Sequence, residues 1–194
     1  MAMRRWDGRF PAEMDDGRYC TFYYQIQRSL NYNRGRIEEA MDEIESHSRI
    51  RFEPRRNQRC YLTLTKRDGC WTNGTGDDCR PRISLGMGCT DFGIILHELL
   101  HAIGFEHEHN RPDRGDYVII NWRNIEDGQE NQFKKLRRNQ YEWMDFEIDF
   151  ESIMMYNSYA FSRNGEMTIQ ARDGEEIEEN EELSDTDIEK LRLL

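Results

Sequence analysis

Hydrophobic positions cluster early in the chain, where residues 19–26 (YCTFYYQI) are rich in aromatics and read as a strand. The segment 31–35 reads as a turn, and from Arg36 the apolar residues Ile37, Ala40, Met41 and Ile44 fall at helical spacing. Glu38, Glu39, Asp42, Glu43 and Glu45 occupy the opposite side, which predicts an amphipathic helix ending near Ser48. Period-two alternation is found at 49–54, with Ile50 and Phe52 on one face, and at 60–66, with Leu62 and Leu64 inward. Residues 68–81 read as a Gly- and Asp-rich loop, and 82–85 (RISL) as a short edge strand. A second helix follows a cap at Thr90 or Asp91 and carries Phe92, Ile94, Ile95, Leu96, Leu99, Leu100, Ala102 and Ile103, with Gly104 as its stop.

After Gly104 regular structure thins, and only residues 129–137 and the run from Ser184 look helical. The order strand, helix, strand, strand predicts an α+β fold, a mixed twisted sheet backed by two helices. One domain over residues 1–194 is expected: an irregular arm at 1–18, an N-terminal lobe at 19–104 and a mostly irregular C-terminal lobe at 105–194 that ends in a helix.

Composition narrows the classes. Charged residues make up 34% of the 194 and hydrophobic ones 37%, so a folded domain with a very polar surface is expected. The 27 basic and 38 acidic residues give a net charge of −11, which argues against nucleic acid, because phosphate binding needs clustered Lys and Arg. The acidic run 173–189 lacks the Asp spacing of a calcium loop and reads as a solvated face. No apolar run approaches a membrane span, and no signal peptide is visible. Five cysteines (Cys20, Cys60, Cys70, Cys79, Cys89) without a C-x-x-C pair favour an oxidising, extracellular setting. Cys20 and Cys60 open two strands that would be neighbours, so Cys20–Cys60 and Cys60–Cys79 are both open pairings. The triplet Asn73-Gly74-Thr75 is an N-glycosylation acceptor and agrees with secretion.

The segment from His97 to His107 carries the chemistry. His97 and His101, four residues apart on a helix, project from one face and reach a single ion. Glu98 sits beside that ion without ligating it. A continuing helix would place His107 about 9 Å along the axis from His101. Gly104 permits the positive φ that turns the chain and returns His107 to the metal. Three imidazoles suit one Zn2+ per chain and leave a position open for water, the mark of a catalytic site. Glu98 is then the general base of a metal-assisted hydrolysis. His97, Glu98 and His101 interrupt a very apolar run, and such groups are costly to bury without partners.

The string H-E-x-x-H-x-x-G-x-x-H is the metzincin signature, and the wider sequence resembles the astacin family of zinc metalloendopeptidases. The likeness runs through Gly104-Phe105, His107-Glu108, 111–114 (RPDR), 117–122 (YVIINW), 152–156 (SIMMY), 160–162 (AFS) and 183–185 (LSD). Upstream, 69–71 (GCW) and Gly88-Cys89 match as well, so the resemblance covers roughly residues 19–194. It implies a two-lobed protease with its active-site cleft between the lobes, acting as a monomer on protein or peptide substrates. It implies that Met154 is the Met-turn residue under the imidazoles. It makes Tyr156 a resting zinc ligand that stabilises the oxyanion during turnover. It also implies that Glu108 is the buried carboxylate meeting the mature N-terminus, that Cys70–Cys89 is a disulfide, and that 82–85 is the edge strand along which substrate lies extended. Arg172 is the candidate for a pocket that prefers acidic residues after the cut. The sequence departs from the family at Met155, where a His is usual, and at Arg49, where a Cys is usual. His47 and His109 have no place in the pattern and read as surface residues.

Overall fold

The computed structural model describes residues 12–15 in backbone, and residues 19–73 and 79–194 in full. Most of the predicted arm at 1–18, and Gly74-Thr75 of the glycosylation triplet, lie outside the described residues. The chain separates into two compact units, Met1–Phe105 with Ile188–Leu194, and Glu106–Asp187.

In the first unit the strands are β1 (Ala12–Asp15), β2 (Tyr19–Ile26), β3 (Ile50–Pro54), β4 (Leu62–Thr65), β5 (Cys70–Asn73) and β6 (Arg82–Leu85). They form one mixed sheet in the order β1-β2-β4-β6-β5, with β3 also paired to β2. β2 runs parallel to β3 and β4, and β4 runs parallel to β6, while β1 and β5 are antiparallel additions. The alternation read from the sequence is borne out at Ile50 and Phe52 of β3 and at Leu62 and Leu64 of β4, all buried; β2 buries Cys20, Phe22, Tyr24 and Ile26. Two helices accompany the sheet. α1 (Arg34–His47) buries Ile37, Ala40, Met41 and Ile44, the spacing that the pattern predicted. It packs against α2 (Phe92–Ala102), which buries Ile95, Leu96, Leu99, Leu100 and Ala102.

Three expectations are corrected here. The arm is not wholly irregular, because Ala12–Asp15 forms β1 against Tyr19–Phe22. The loop expected over 68–81 contains β5, which pairs with β6 from Cys70↔Leu85 to Asn73↔Arg82. Consequently 82–85 is not the edge strand: β6 is hydrogen-bonded on both sides, and β5 is the outermost strand there among the described residues. The sequence hid this because β5 carries no buried face, its side chains being half-buried or exposed, whereas Ile83, Ser84 and Leu85 of β6 are wholly buried.

The second unit holds β7 (Val118–Ile120) antiparallel to β8 (Ile169–Ala171), with short 3-10 turns at Glu108–Asn110, Arg114–Asp116, Trp122–Asn124 and Glu130–Phe133. Its core gathers Val118, Ile125, Phe133, Met155, Ile169, Ala171 and Ile177. Met155, the departure from the family pattern, is therefore a core residue. The helix expected over 129–137 is only the turn Glu130–Phe133. Asn110 ends it: its Nδ2 donates to the Gln132 and Lys134 carbonyls at 2.8 and 2.9 Å, and its own carbonyl accepts from Leu136 N at 2.7 Å. Those backbone groups are thereby drawn away from helical partners.

α3 (Asp185–Arg192) begins with a reciprocal cap. Ser184 Oγ accepts from Asp187 N at 2.9 Å, and Ser184 N donates to Asp187 Oδ2 at 3.3 Å.

Two disulfides join Cys60 to Cys79 and Cys70 to Cys89, so the open pairing is decided for Cys60–Cys79. Cys20 is a free thiol facing the interior of the sheet, and burial pushes its pKa up to about 12. We expect a thiol reagent at pH 8 to find no reactive cysteine in the native protein and one per chain in guanidinium. Two or more in the denatured, unreduced chain would contradict the pairing.

Candidate active site

α2 ends in a Schellman motif. Gly104 stands at φ 105°, Phe105 N donates to Leu100 O at 2.9 Å, and Gly104 N donates to His101 O at 3.0 Å. A side chain at Gly104 would be strained at that φ, which is why glycine fits the position. The chain is redirected within two residues, and the ligand atoms of His97, His101 and His107 all lie within 4.8 Å of one another. The rings of His97 and His101 meet edge to face at 86°, with centroids 4.7 Å apart.

The turn also sets the tautomer of one ligand. His101 Nδ1 lies 2.8 Å from Phe105 O, so the ring donates there and keeps Nε2 as its lone-pair nitrogen. Such a donor to a carbonyl is the usual support of a metal-bound imidazole. The residues present therefore fit a borderline-soft ion such as Zn2+, with three neutral nitrogens and no protein carboxylate in the ligand set.

Glu98 is buried beside His97 on α2, and burial raises its pKa to about 7, opposed by a hydrogen bond from Thr72. Thr72 Oγ1, on β5, donates to Glu98 Oε2 at 2.6 Å and also lies 2.9 Å from the Glu98 carbonyl. Sequence reasoning missed Thr72, since nothing in a lone Thr of a presumed loop signals such a partner.

Met154 is fully buried, and its carbonyl accepts from Glu108 N at 3.0 Å. The turn that contains it is fixed by Asp187, which the sequence placed in a solvated acidic run and which is instead wholly buried. Asp187 accepts from Ser152 Oγ at 2.7 Å and from Ile153 N at 3.0 Å, and Ser152 Oγ in turn accepts from Met154 N at 3.0 Å. The signal was the capping pattern Ser184-x-x-Asp187, whose acid does double duty.

Tyr156 packs against His107, with ring centroids 4.5 Å apart. The ring also stacks on His109 at 4.1 Å and 26°. His109 is thus not a surface residue as its sequence position implied. It is wholly buried, and its Nε2 lies 3.0 Å from Gln132 O. The 3-10 turn Glu108–Asn110 turns it inward, where the aromatic faces of Tyr156 and Phe133 cover it. His47 is half-buried on α1 and meets Glu43 at 3.2 Å.

Glu108 is buried and accepts from Tyr141 OH at 2.6 Å, Asp149 N at 3.3 Å and Arg111 at 3.4 Å. Arg111, also buried, holds Asp113 through two nitrogens at 2.9 and 3.0 Å and donates to Phe146 O at 2.8 Å. The chain's N-terminus, the other partner expected for Glu108, lies outside the described residues. Arg172 is exposed beyond β8, its Nε donating to Gly115 O at 2.7 Å.

The fold and the histidine cluster resemble those of zinc proteases, and comparison with known proteins agrees. Residues 17–194 match the family model described as Astacin (Peptidase family M12A). The chain belongs to the astacin family. It is 39% identical over 171 residues to zinc metalloproteinase nas-13 of Caenorhabditis elegans, covering 84% of this chain and 37% of that protein. It is 43% identical over 145 residues to astacin-like metalloprotease toxin 5 of Loxosceles gaucho, covering 74% of this chain and 77% of the toxin. Among solved structures, high choriolytic enzyme 1, a hatching enzyme zinc-protease from Oryzias latipes, superimposes with a TM-score of 0.88 at 29% identity, over 100% of this chain and 98% of that one. The chain spans little more than a third of the length of the nematode relative.

Replacing Gly104 with Ala forces a β-carbon into the left-handed region. We expect a stability loss of roughly 1–2 kcal/mol by urea denaturation, together with weaker zinc retention on dialysis. Unchanged values for both would refute the role of this turn.

Proposed function

We propose that the protein is a secreted zinc-dependent endopeptidase that hydrolyses internal bonds of protein substrates. The single observation that carries this reading is the convergence of three imidazoles beside a buried Glu98. His97, His101 and His107 would hold one zinc ion, with Tyr156 as the further resting ligand that the family resemblance assigns. When bound, zinc supplies Lewis acidity to a water molecule and to the scissile carbonyl.

The chain's own residues do the rest. Glu98 takes a proton from the attacking water, whose oxygen adds to the carbonyl carbon. Tyr156 donates a hydrogen bond to the oxygen that gains negative charge. The proton then passes from Glu98 to the amine nitrogen as the C–N bond breaks. Stacking on His109 and contact with His107 limit the ring of Tyr156 to a few orientations, so its phenol is delivered to one place.

Substrate is placed along β5 and not along 82–85. β5 is the outermost strand on its side of the sheet among the described residues, and an extended peptide adds to such an edge by main-chain hydrogen bonds. Met154 packs as the floor of the metal site, and Glu108 is held ready for the mature N-terminus. Extracellular action is supported by the two disulfides, and no described helix is long and apolar enough to cross a membrane.

Glu98→Gln should keep its zinc by elemental analysis and lose casein or gelatin cleavage by about 100-fold to 10,000-fold. Wild-type cleavage by that variant would remove Glu98 as the base. Tyr156→Phe should lower kcat by roughly 100-fold to 1,000-fold with KM little changed. An unchanged turnover number on a fluorogenic peptide would rule out the oxyanion role.

A further inference from the structure

We infer that Thr72 is a positioning residue for the general base: its hydroxyl, carried by the substrate-docking strand β5, fixes Glu98 Oε2 and leaves Oε1 as the oxygen that handles the proton. The inference rests on the reading of Glu98 as base given above and deepens it.

The geometry is specific. A distance of 2.6 Å from Thr72 Oγ1 to Glu98 Oε2 is that of a charge-assisted O–H···O⁻ bond. Among the described residues no other side chain donates to the Glu98 carboxylate, so this one bond sets its rotation about the last torsion. That torsion is broad and roughly two-fold when unrestrained, and a carboxylate free to spin would present either oxygen at varying angles. Thr72 removes the freedom from one oxygen and thereby aims the other.

The hydroxyl also has a second acceptor. The Glu98 carbonyl lies 2.9 Å from Thr72 Oγ1. A single hydroxyl proton can therefore shift between carboxylate and carbonyl without being stranded while the carboxyl group swings from the water toward the leaving amine. A donor with only one acceptor would resist that motion, because breaking its bond would leave it unsatisfied in a buried place.

Position on the strand adds a coupling. Thr72 pairs with Ile83 in the middle of β5, so its backbone is held by β6 while its side chain reaches α2. The same strand is the docking edge for the peptide. Substrate alignment and base alignment thus share one rigid element, and both are referenced to the sheet. Near-attack geometry needs this kind of common frame, since an error of about 1 Å at the base costs on the order of 100-fold in rate.

The test compares Thr72→Val, Thr72→Ala, Thr72→Ser and Glu98→Gln on a fluorogenic peptide taken from a wild-type gelatin cleavage site. Zinc content, thermal midpoint and the visible spectrum of the cobalt-substituted enzyme are measured alongside. We expect Thr72→Val and Thr72→Ala to lower kcat roughly 10-fold to 100-fold, the size of a lost hydrogen bond to a charged group. KM should stay within about two-fold, and zinc content and cobalt spectrum should match the wild type, because the ligand set is untouched. Thr72→Ser, which keeps the donor, should restore kcat to within about three-fold. If Thr72→Val does not fold, the Ala and Ser variants make the same comparison. Wild-type kcat in Thr72→Val or Thr72→Ala with an inactive Glu98→Gln would overturn the role of Thr72 and leave the base in place. Wild-type kcat in Glu98→Gln would overturn both. A Ser variant as slow as the Ala one, or an altered cobalt spectrum in Thr72→Ala, would show that Thr72 acts through packing and would overturn the inference as well.

Discussion

The left-handed residue at Gly104 is the constraint on which the site depends. A helix presents ligands four residues apart on one face, but its axial rise carries a third ligand away from them. At φ 105° the chain leaves α2 abruptly, and the capping hydrogen bonds to Leu100 and His101 make the exit rigid. The carbonyl of Phe105, exposed by the same turn, takes the Nδ1 proton of His101. One backbone conformation therefore gathers the three histidines and fixes the tautomer of one of them.

Three carboxylates buried in this protein are each met by hydrogen-bond donors. Glu98 has Thr72, while Glu108 has Tyr141 and Asp149 N along with Arg111. Asp187 serves Ser152, Ile153 and its own helix start. Each is a carboxylate that water would otherwise solvate, and Glu108 and Asp187 each bind backbone N–H groups of irregular segments. This accounts for how so charged a sequence supports a unit such as Glu106–Asp187 with little regular structure: its shape is held by side-chain-to-backbone bonds more than by ladders. Arg114 illustrates the same economy, donating to the carbonyls of His109 and Phe133 from a buried position.

An aromatic cluster restrains the ring of Tyr156. His107 and His109 lie on it at 4.5 and 4.1 Å, with Phe133 and Phe161 at 6.3 and 5.7 Å. Ring-on-ring packing of this kind favours offset and edge-on arrangements, which restricts the orientation of the ring. Tyr156 also packs against the unit's core, which includes Phe133 and Met155.

Much of this was legible in the sequence. Helical spacing at Ile37, Ala40, Met41 and Ile44, alternation at Leu62 and Leu64, and the histidine, glutamate and glycine spacing from His97 to Gly104 are local patterns, and local patterns follow from the repeat of the backbone alone. What the sequence left undecided depended on neighbours distant along the chain. β5 is a strand because β6 offers it an edge, Cys60 pairs with Cys79 because the fold places them together, and His109 is interior because Tyr156 covers it. The donor to Glu98 and the double use of Asp187 belong to the same class. Periodicity fixes which face of an element is apolar; only the folded chain decides which polar side chain is brought within hydrogen-bonding distance of which, since that is set by contacts between segments and not by the order of residues within one.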